Sequence, residues 1–383
     1  MNTLIRNGRV LLDNEINTDV DLLINDIGII VAQDNLEAQA DVVIDANQQL
    51  VLPGIVDLHG DAFERQMLPR PKVHFPTDMA LLETDRQMMI NGITTAFHGV
   101  TYSWETGLRG RDSAIKVIEH VEKLRDRLIC DTRIHLRWET YNLEGENDLA
   151  NWLINDRISL LAFNDHMQDI RNDIESNDHK LSTLYARSGL TALAYHDLFE
   201  KTDSRASEVP AAIARLAAIA YEKNIPCASH DDPDKATRHW FNDNHVSISE
   251  FPVNEDVAKL CRELKNPIIL GAPNVVRGGS HCNRISASYA VSQELCDVLT
   301  SDYFYPSMLL AIFMLMEQHD LGIADVWPLI SSNAADAALL FDRGVISNHK
   351  RADIIFIDDS NPKLPEVTKS FIGGKLVYSL NRS

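Results

Sequence analysis

Short apolar runs alternate with amphipathic stretches through the middle of the chain, and many of the runs stop at a polar residue. The runs Ile55–Leu58, Thr94–His98, Arg133–Arg137, Ile158–Phe163, Pro226–Ser229, Val246–Phe251, Pro267–Leu270 and Val298–Thr300 have the length and β-branched content of strands. Between them the spacing turns helical. Ile115, Ile118, Val121 and Leu124 share one face of a helix over Asp112–Leu128. Pro210–Glu222 begins with proline, which suits a first helical turn, and Asn254–Leu264 opens on an asparagine cap. About eight strand–helix units over about 280 residues predict a TIM-type (β/α)8 barrel, with a doubly wound sheet as the alternative. The barrel is preferred because ligand-type side chains recur at many strand ends, which a barrel brings to one point.

The two ends have a different texture. Thr3–Ile5, Arg9–Leu12, Leu22–Ile24 and Gly28–Val31 read as short strands, with turns at Asn7-Gly8 and Asp26-Ile27-Gly28. The far end repeats the pattern at Ala352–Ile357 and Ser370–Tyr378. A small β-sandwich formed by both chain ends follows, with residues 1–52 and 341–383 flanking a barrel over 53–340. The longest apolar stretch, Met308–Met316, is too short to cross a bilayer and is expected to be a buried helix.

Charge narrows the partners. The 383 residues carry a formal net charge of −20, which argues against nucleic acid and against anionic membranes. A locally basic site for an anionic small molecule remains open. The five cysteines, Cys130, Cys227, Cys261, Cys282 and Cys296, contain no CxxC pair. Reduced thiols in the cytoplasm are expected. Met1–Asn14 has no apolar core of a signal peptide. A homo-oligomer is expected, since the apolar outer helices of such barrels often pair.

The chemistry begins at Ile55-Val56-Asp57-Leu58-His59-Gly60-Asp61. Residues two apart on a strand point the same way, so His59 and Asp61 can face one cation. Glu139, His166, His230 and Asp302 follow, each where an apolar run stops. Taken singly, each has an ordinary explanation. Glu139 could pair with Arg137 on a solvated rim, His166 could be a hydrogen-bonded structural histidine, and Asp302 could cap a helix. Together the six suit a pair of divalent cations: Zn²⁺ first, with Mn²⁺ or Fe²⁺ using the same donors. Asp231 and Asp232 could orient the His230 ring, and Asp302 is the candidate base. Two basic segments lie beside this set. Arg70 and Lys72 sit in Leu68-Pro69-Arg70-Pro71-Lys72, stiffened by proline. Arg277, Gly278, Gly279, Ser280 and His281 close the second, where paired glycines can bring backbone amides to an anion. They favour a small phosphorylated substrate. No GxxxxGK[ST] or GxGxxG run is present.

Several stretches resemble the amidohydrolase superfamily: Leu52-Pro53-Gly54-Ile55-Val56-Asp57-Leu58-His59, and the return Arg351-Ala352-Asp353-Ile354-Ile355. Within it the chain is similar to the diphosphatases of phosphonate metabolism that act on α-D-ribose 1-methylphosphonate 5-triphosphate. Pro69–Val73, Gly92–Thr95, His135–Arg137, Ala228–Asp232, Glu250-Phe251-Pro252, Gly271–His281 and Ser301–Tyr303 carry that similarity. The resemblance implies a barrel with a β-sandwich, a binuclear metal site and hydrolysis that releases diphosphate. It puts His59, Asp61, Glu139, His166, His230 and Asp302 where metal ligands are expected, and Arg277–Ser280 in a phosphate-facing loop. Three departures stand out. Gly60 replaces an expected threonine and should free space. Met167-Gln168-Asp169 replaces an expected Ser-Pro-Gly-Gln. His98 stands at an expected strand end where an aspartate would be usual. The alternatives are an amidohydrolase acting on an amide, lactam or cyclic urea with an anionic group, and a non-catalytic scaffold.

Overall fold

Eight parallel strands, alternating with helices, form one sheet that closes on itself. The computed structural model describes residues 2–25, 28, 30–32, 40–70, 73–176, 179–279 and 284–380. The barrel strands are β1 (Ile55–Gly60), β2 (Ile93–Tyr102), β3 (Asp131–Glu139), β4 (Leu160–Asn164), β5 (Cys227–His230), β6 (Ile248–Glu250), β7 (Ile268–Gly271) and β8 (Val298–Thr300). Neighbours in sequence are neighbours in the sheet. The ring is completed beyond the last strand. Asp302 N–H donates to the His59 carbonyl at 2.8 Å, and Asp61 N–H donates to the Asp302 carbonyl at 2.9 Å.

All eight expected strands are present, with ends shifted by a few residues. The helices follow their signals. Arg111–Leu124 buries Ile118, Val121 and Leu124. Val209–Glu222 carries its proline in the first turn. Asn254 caps Glu255–Leu264 by accepting from Val257 N–H at 3.0 Å. Ser307–His319 buries Met308, Leu309, Ala311, Ile312, Phe313 and Leu315, as an apolar core helix should. Among the described residues no helix is long and apolar enough to cross a membrane. Cys130, Cys227, Cys261 and Cys296 are buried and free, and Cys282 lies outside the described residues.

The chain ends build the expected sheet pair. One sheet runs, in order, Lys375–Ser379, Glu366–Ile372, Ile354–Asp358, Leu50–Pro53, Arg9–Leu12 and Glu15–Asn17. The other is N-terminal only: Ile30–Ala32, Leu22–Ile24, Thr3–Arg6 and Val42–Asp45. Ile5, Leu22 and Ile24 from the second pack with Val10, Val51, Ile354, Phe356 and Phe371 from the first. The turn at Asn7, whose φ of 55° suits asparagine, hands the chain from one sheet to the other.

Leu50–Pro53 passes into β1 through Gly54 alone. A Cβ at Gly54 would stand 2.3 Å from Thr94 Oγ1, so only glycine lets β1 lie this close to β2. At this end of the barrel Asp131 binds Arg343 Nη1 at 2.6 Å, Arg133 Nη2 at 3.0 Å and Arg351 Nη1 at 3.2 Å. One carboxylate thus ties the start of β3 to the segment that returns to the sheet.

Candidate metal centre

Alternation along β3 sets the depth of the site. Leu136 and Trp138 pack outward among the helices, in a cluster with Leu149 and Trp152. His135, Arg137 and Glu139 therefore point inward at three successive levels. His59 points inward from β1, and Asp61 follows it. His230 ends β5, Glu250 ends β6, and Asp302 follows β8.

The six residues singled out in the sequence come together. His59, Asp61 and Asp302 present ligand atoms within 4.8 Å of one another. His166, His230 and Asp231 form a second such group. Ring centroids of His59 and His230 are 6.0 Å apart, and those of His166 and His230 are 5.9 Å apart. Glu139 Oε1 sits 2.7 Å from His166 Nδ1. Glu139 thus engages the histidine rather than Arg137, whose Nη1 lies 3.4 Å from Asp61 Oδ2.

Burial and neighbouring charge set the protonation. Burial, reinforced by Glu64, pushes Asp61 up to about 6. Burial also raises Asp302, against the pull of Arg137. Burial alone would raise Glu139 as well, but His166, with Arg137 and Arg109, holds it below its ordinary value. Glu139 in turn raises His166. His59 is driven well down, mainly by burial, and so is a neutral imidazole available as a donor.

Several side chains not singled out beforehand belong here. Asp57 lies fully buried beneath His59 and binds Ser301. Glu250 faces His59 Nδ1 at 3.2 Å. Asn164, in register with Glu139, is fully buried with both amide atoms unpartnered. Arg109, half-buried in the loop after β2, binds Glu64 at 3.1 Å and has a buried, unpartnered Nε. Period-two polarity in His135-Leu136-Arg137-Trp138-Glu139 was the signal for β3. Asp231 does face His230, with Nδ1 to Oδ2 at 3.2 Å. Asp232 instead serves the outer layer, binding Ser229 at 2.7 Å, Ser249 at 2.8 Å and Arg238 at 3.2 Å.

The expected basic residues fare differently. Arg70 is exposed, and Lys72, Ser280 and His281 lie outside the described residues. Gly271–His281 is not simply a loop, since Ala272–Val276 is helical. Gly278 N–H donates to Val275 O at 3.2 Å and Gly279 N–H to Asn274 O at 3.0 Å. Those amides close the helix end and are not free for an anion. Arg277 is exposed, with Nη1 3.3 Å from Tyr303 Oη. His98 is not at a strand end. It sits within β2, buried beside Phe63 at 4.9 Å, and burial pushes it down to about 4. Gly60 does not free space either. A Cβ there would stand 2.8 Å from Asp57 Oδ2, 2.9 Å from Tyr305 Cε1 and 3.0 Å from Ser301 Oγ.

The donor set fits divalent cations of the Zn²⁺, Mn²⁺ and Fe²⁺ kind: imidazoles with carboxylates, their ligand atoms grouped within 4.8 Å in the barrel mouth.

No family model matches the chain. Solved structures match it end to end. An amidohydrolase structure aligns at a TM-score of 0.67 and 13% identity, covering 100% of both chains. The N-isopropylammelide isopropylaminohydrolase of Burkholderia multivorans gives 0.67 and 16%, over 99% of this chain and 98% of that one. The dihydropyrimidinase of Brevibacillus agri gives 0.62 and 15%, over 99% and 95%. In sequence, the α-D-ribose 1-methylphosphonate 5-triphosphate diphosphatase of Escherichia coli is 29% identical over 362 residues, 92% of this chain and 94% of that one. This chain has the barrel-and-sandwich fold of the amidohydrolase structures it matches. The two ligand groups lie at the barrel mouth, just at or beyond the ends of β1, β4, β5 and β8.

Proposed function

We propose that the chain hydrolyses the α–β phosphoanhydride of α-D-ribose 1-methylphosphonate 5-triphosphate and releases diphosphate. The observation that carries this reading is the 29% identity to the Escherichia coli diphosphatase, spread over 92% of this chain. The site's charge agrees with it. In a chain of net charge −20, Arg137 and Arg109 are directed at the site's carboxylates, where an anionic substrate needs them.

Water adds to the α-phosphorus, the α–β P–O bond breaks, and diphosphate leaves with the bonding pair. His59, Asp61 and Asp302 would hold one cation, and His166, His230 and Asp231 a second, with Glu139 beside His166 and Zn²⁺ the first choice. When bound, such cations supply Lewis acidity and neutralise charge on phosphate oxygens. Asp302 takes the proton of the attacking water at its carboxylate. Arg137 and Arg109 meet the α-phosphate oxygens. Arg277, held beside Asp302 through Tyr303, meets the outer phosphates.

The test is incubation of metal-loaded protein with the triphosphate while diphosphate is measured. Release that disappears in a metal-stripped control is the expected result. No release above that control rejects the proposal. Turnover of a panel of lactams, cyclic ureas and N-acyl amino acids in its place moves the chain to amide hydrolysis.

A further inference from the structure

The proposed chemistry leaves one large recess unused. A cleft of about 690 Å³ lies beside the barrel mouth, walled by the segments that follow β1 and β2 and by the helix Leu181–Ser188. None of the candidate metal ligands lines it. Leu68, His74 and Phe75 on its wall belong to the proline-stiffened basic segment after β1. Two helices of 14 residues, Thr77–Ile90 and Arg111–Leu124, begin here. Thr77 from the first and Asp112 and Ser113 from the second line the cleft. Neither helix is capped by a side chain, since Pro76 and Gly110 hold the N-cap positions. Among the described residues the amides of Thr77, Asp112 and Ser113 have no acceptor. Two positive helix ends therefore open on one recess.

Thr77 gives a second, independent sign. It is 1% exposed where it lines the cleft, and its hydroxyl has no hydrogen-bond partner. A hydroxyl kept from water is costly until a ligand meets it. Lys116, one turn further along its helix, stands on the same wall, and its ammonium pairs with no carboxylate among the described residues. Arg187, across the cleft, is held by Glu105 at 2.6 and 3.0 Å and fixes the wall. Asp112 is the one carboxylate among the lining residues, and it is exposed to solvent. We propose that this cleft binds a small phosphate-bearing anion, apart from the metal centre. The two helix ends and the Thr77 hydroxyl hold the phosphate oxygens, and Lys116 balances their charge.

The test titrates the full chain with inorganic diphosphate in a calorimeter, after metal is stripped so that the mouth loses its hold on anions. Inorganic phosphate and ribose 5-phosphate, run separately, tell an inorganic ligand from an organic one. One equivalent bound is expected from at least one of the three. Thr77→Val and Lys116→Ala should weaken it by about tenfold or more, Asp112→Asn should tighten it, and Arg137→Met should leave it unchanged. The zinc-loaded chain is titrated beside it, and the first two variants should each remove one of its equivalents. In soaked wild-type crystals the anion is expected between Thr77 and Ser113. No binding by any probe, binding indifferent to Thr77→Val and Lys116→Ala, or an anion seen only in the mouth overturns the proposal. No turnover enters these readouts, so a failed diphosphatase assay leaves this inference standing.

Discussion

Asp57 and Ser301 are joined twice. Ser301 N–H donates to Asp57 Oδ1 at 2.9 Å, and its hydroxyl donates to Oδ2 at 2.5 Å. Burial pushes the Asp57 carboxyl up to about 6, and these two bonds hold it back from rising further. They link the first barrel strand to the last, directly beneath His59 and next to Asp302. Ser301→Ala removes one donor from a buried carboxylate, which costs about 1–3 kcal/mol. Chemical denaturation should show that loss, and zinc affinity should fall with it because Asp302 loses its anchored neighbour. Unchanged values for both would mean that the link is dispensable.

Gly60 stands among Asp57, Ser301 and Tyr305 with no room for a side chain. Gly60→Ala should cost about 1–3 kcal/mol and Gly60→Thr more, since both overpack a closed contact. Melting temperature and zinc content report the two consequences. A threonine variant as stable as the parent would refute the crowding seen here.

Positive charge inside the mouth should outweigh charge on its rim. Arg137→Met is expected to lower kcat/KM for the triphosphate by about a hundredfold or more, with metal content retained. Arg277→Ala, at an exposed position, should cost about tenfold or less. The reverse ranking would return phosphate recognition to the segment after β7.

Asp302→Asn keeps the shape of the side chain and removes its basicity. Turnover should drop by about a thousandfold while zinc stays bound. Chelation should abolish turnover, and added Zn²⁺ or Mn²⁺ should restore it. Full activity in the asparagine variant would move the proton-accepting role elsewhere.

The tie between barrel and sheet is acid-sensitive. Burial works to raise Asp131, but Arg133 and Arg343 outweigh it and set the carboxyl below its ordinary 3.8. A lowered acid contributes stability that is present above the unfolded value and lost as pH falls through the folded one. Asp131→Asn should therefore cost about 2–3 kcal/mol near neutrality. The gap to wild type should narrow as pH falls below about 3.8. Denaturation at pH 7 and pH 3 checks this, and a gap that widens in acid would contradict it.

Much of this architecture was legible beforehand because strand ends carry their own punctuation. His59, His230 and Asp302 each stand where a β-branched or apolar run stops, and period-two alternation places them without any knowledge of neighbours. The sandwich was legible for the same reason, since its strands are short and turn-bounded. Other parts were not. Glu250 ends a strand of three residues, Ile248–Glu250, too short to show a period. His135 and Arg137 were visible as polar positions, but nothing local tells an inward arginine from a snorkelling one. Gly278 and Gly279 suggested an anion cradle, and the preceding five-residue helix claims their amides instead. Gly60 suggested a vacancy, whereas two of the three groups that crowd it, Ser301 and Tyr305, come from some 240 positions along the chain. Packing between distant segments decides such cases.

Leu50–Pro53 and Ile354–Asp358 lie side by side in one sheet. The pairing spans about 300 residues, so the sheet cannot close until the whole barrel between them has been threaded through. During synthesis the early strands must wait with bare edges, open to mispairing. A chain halted before residue 354 is thus expected to aggregate rather than yield a smaller working enzyme. Cotranslational help would be needed most at the N-terminal strands.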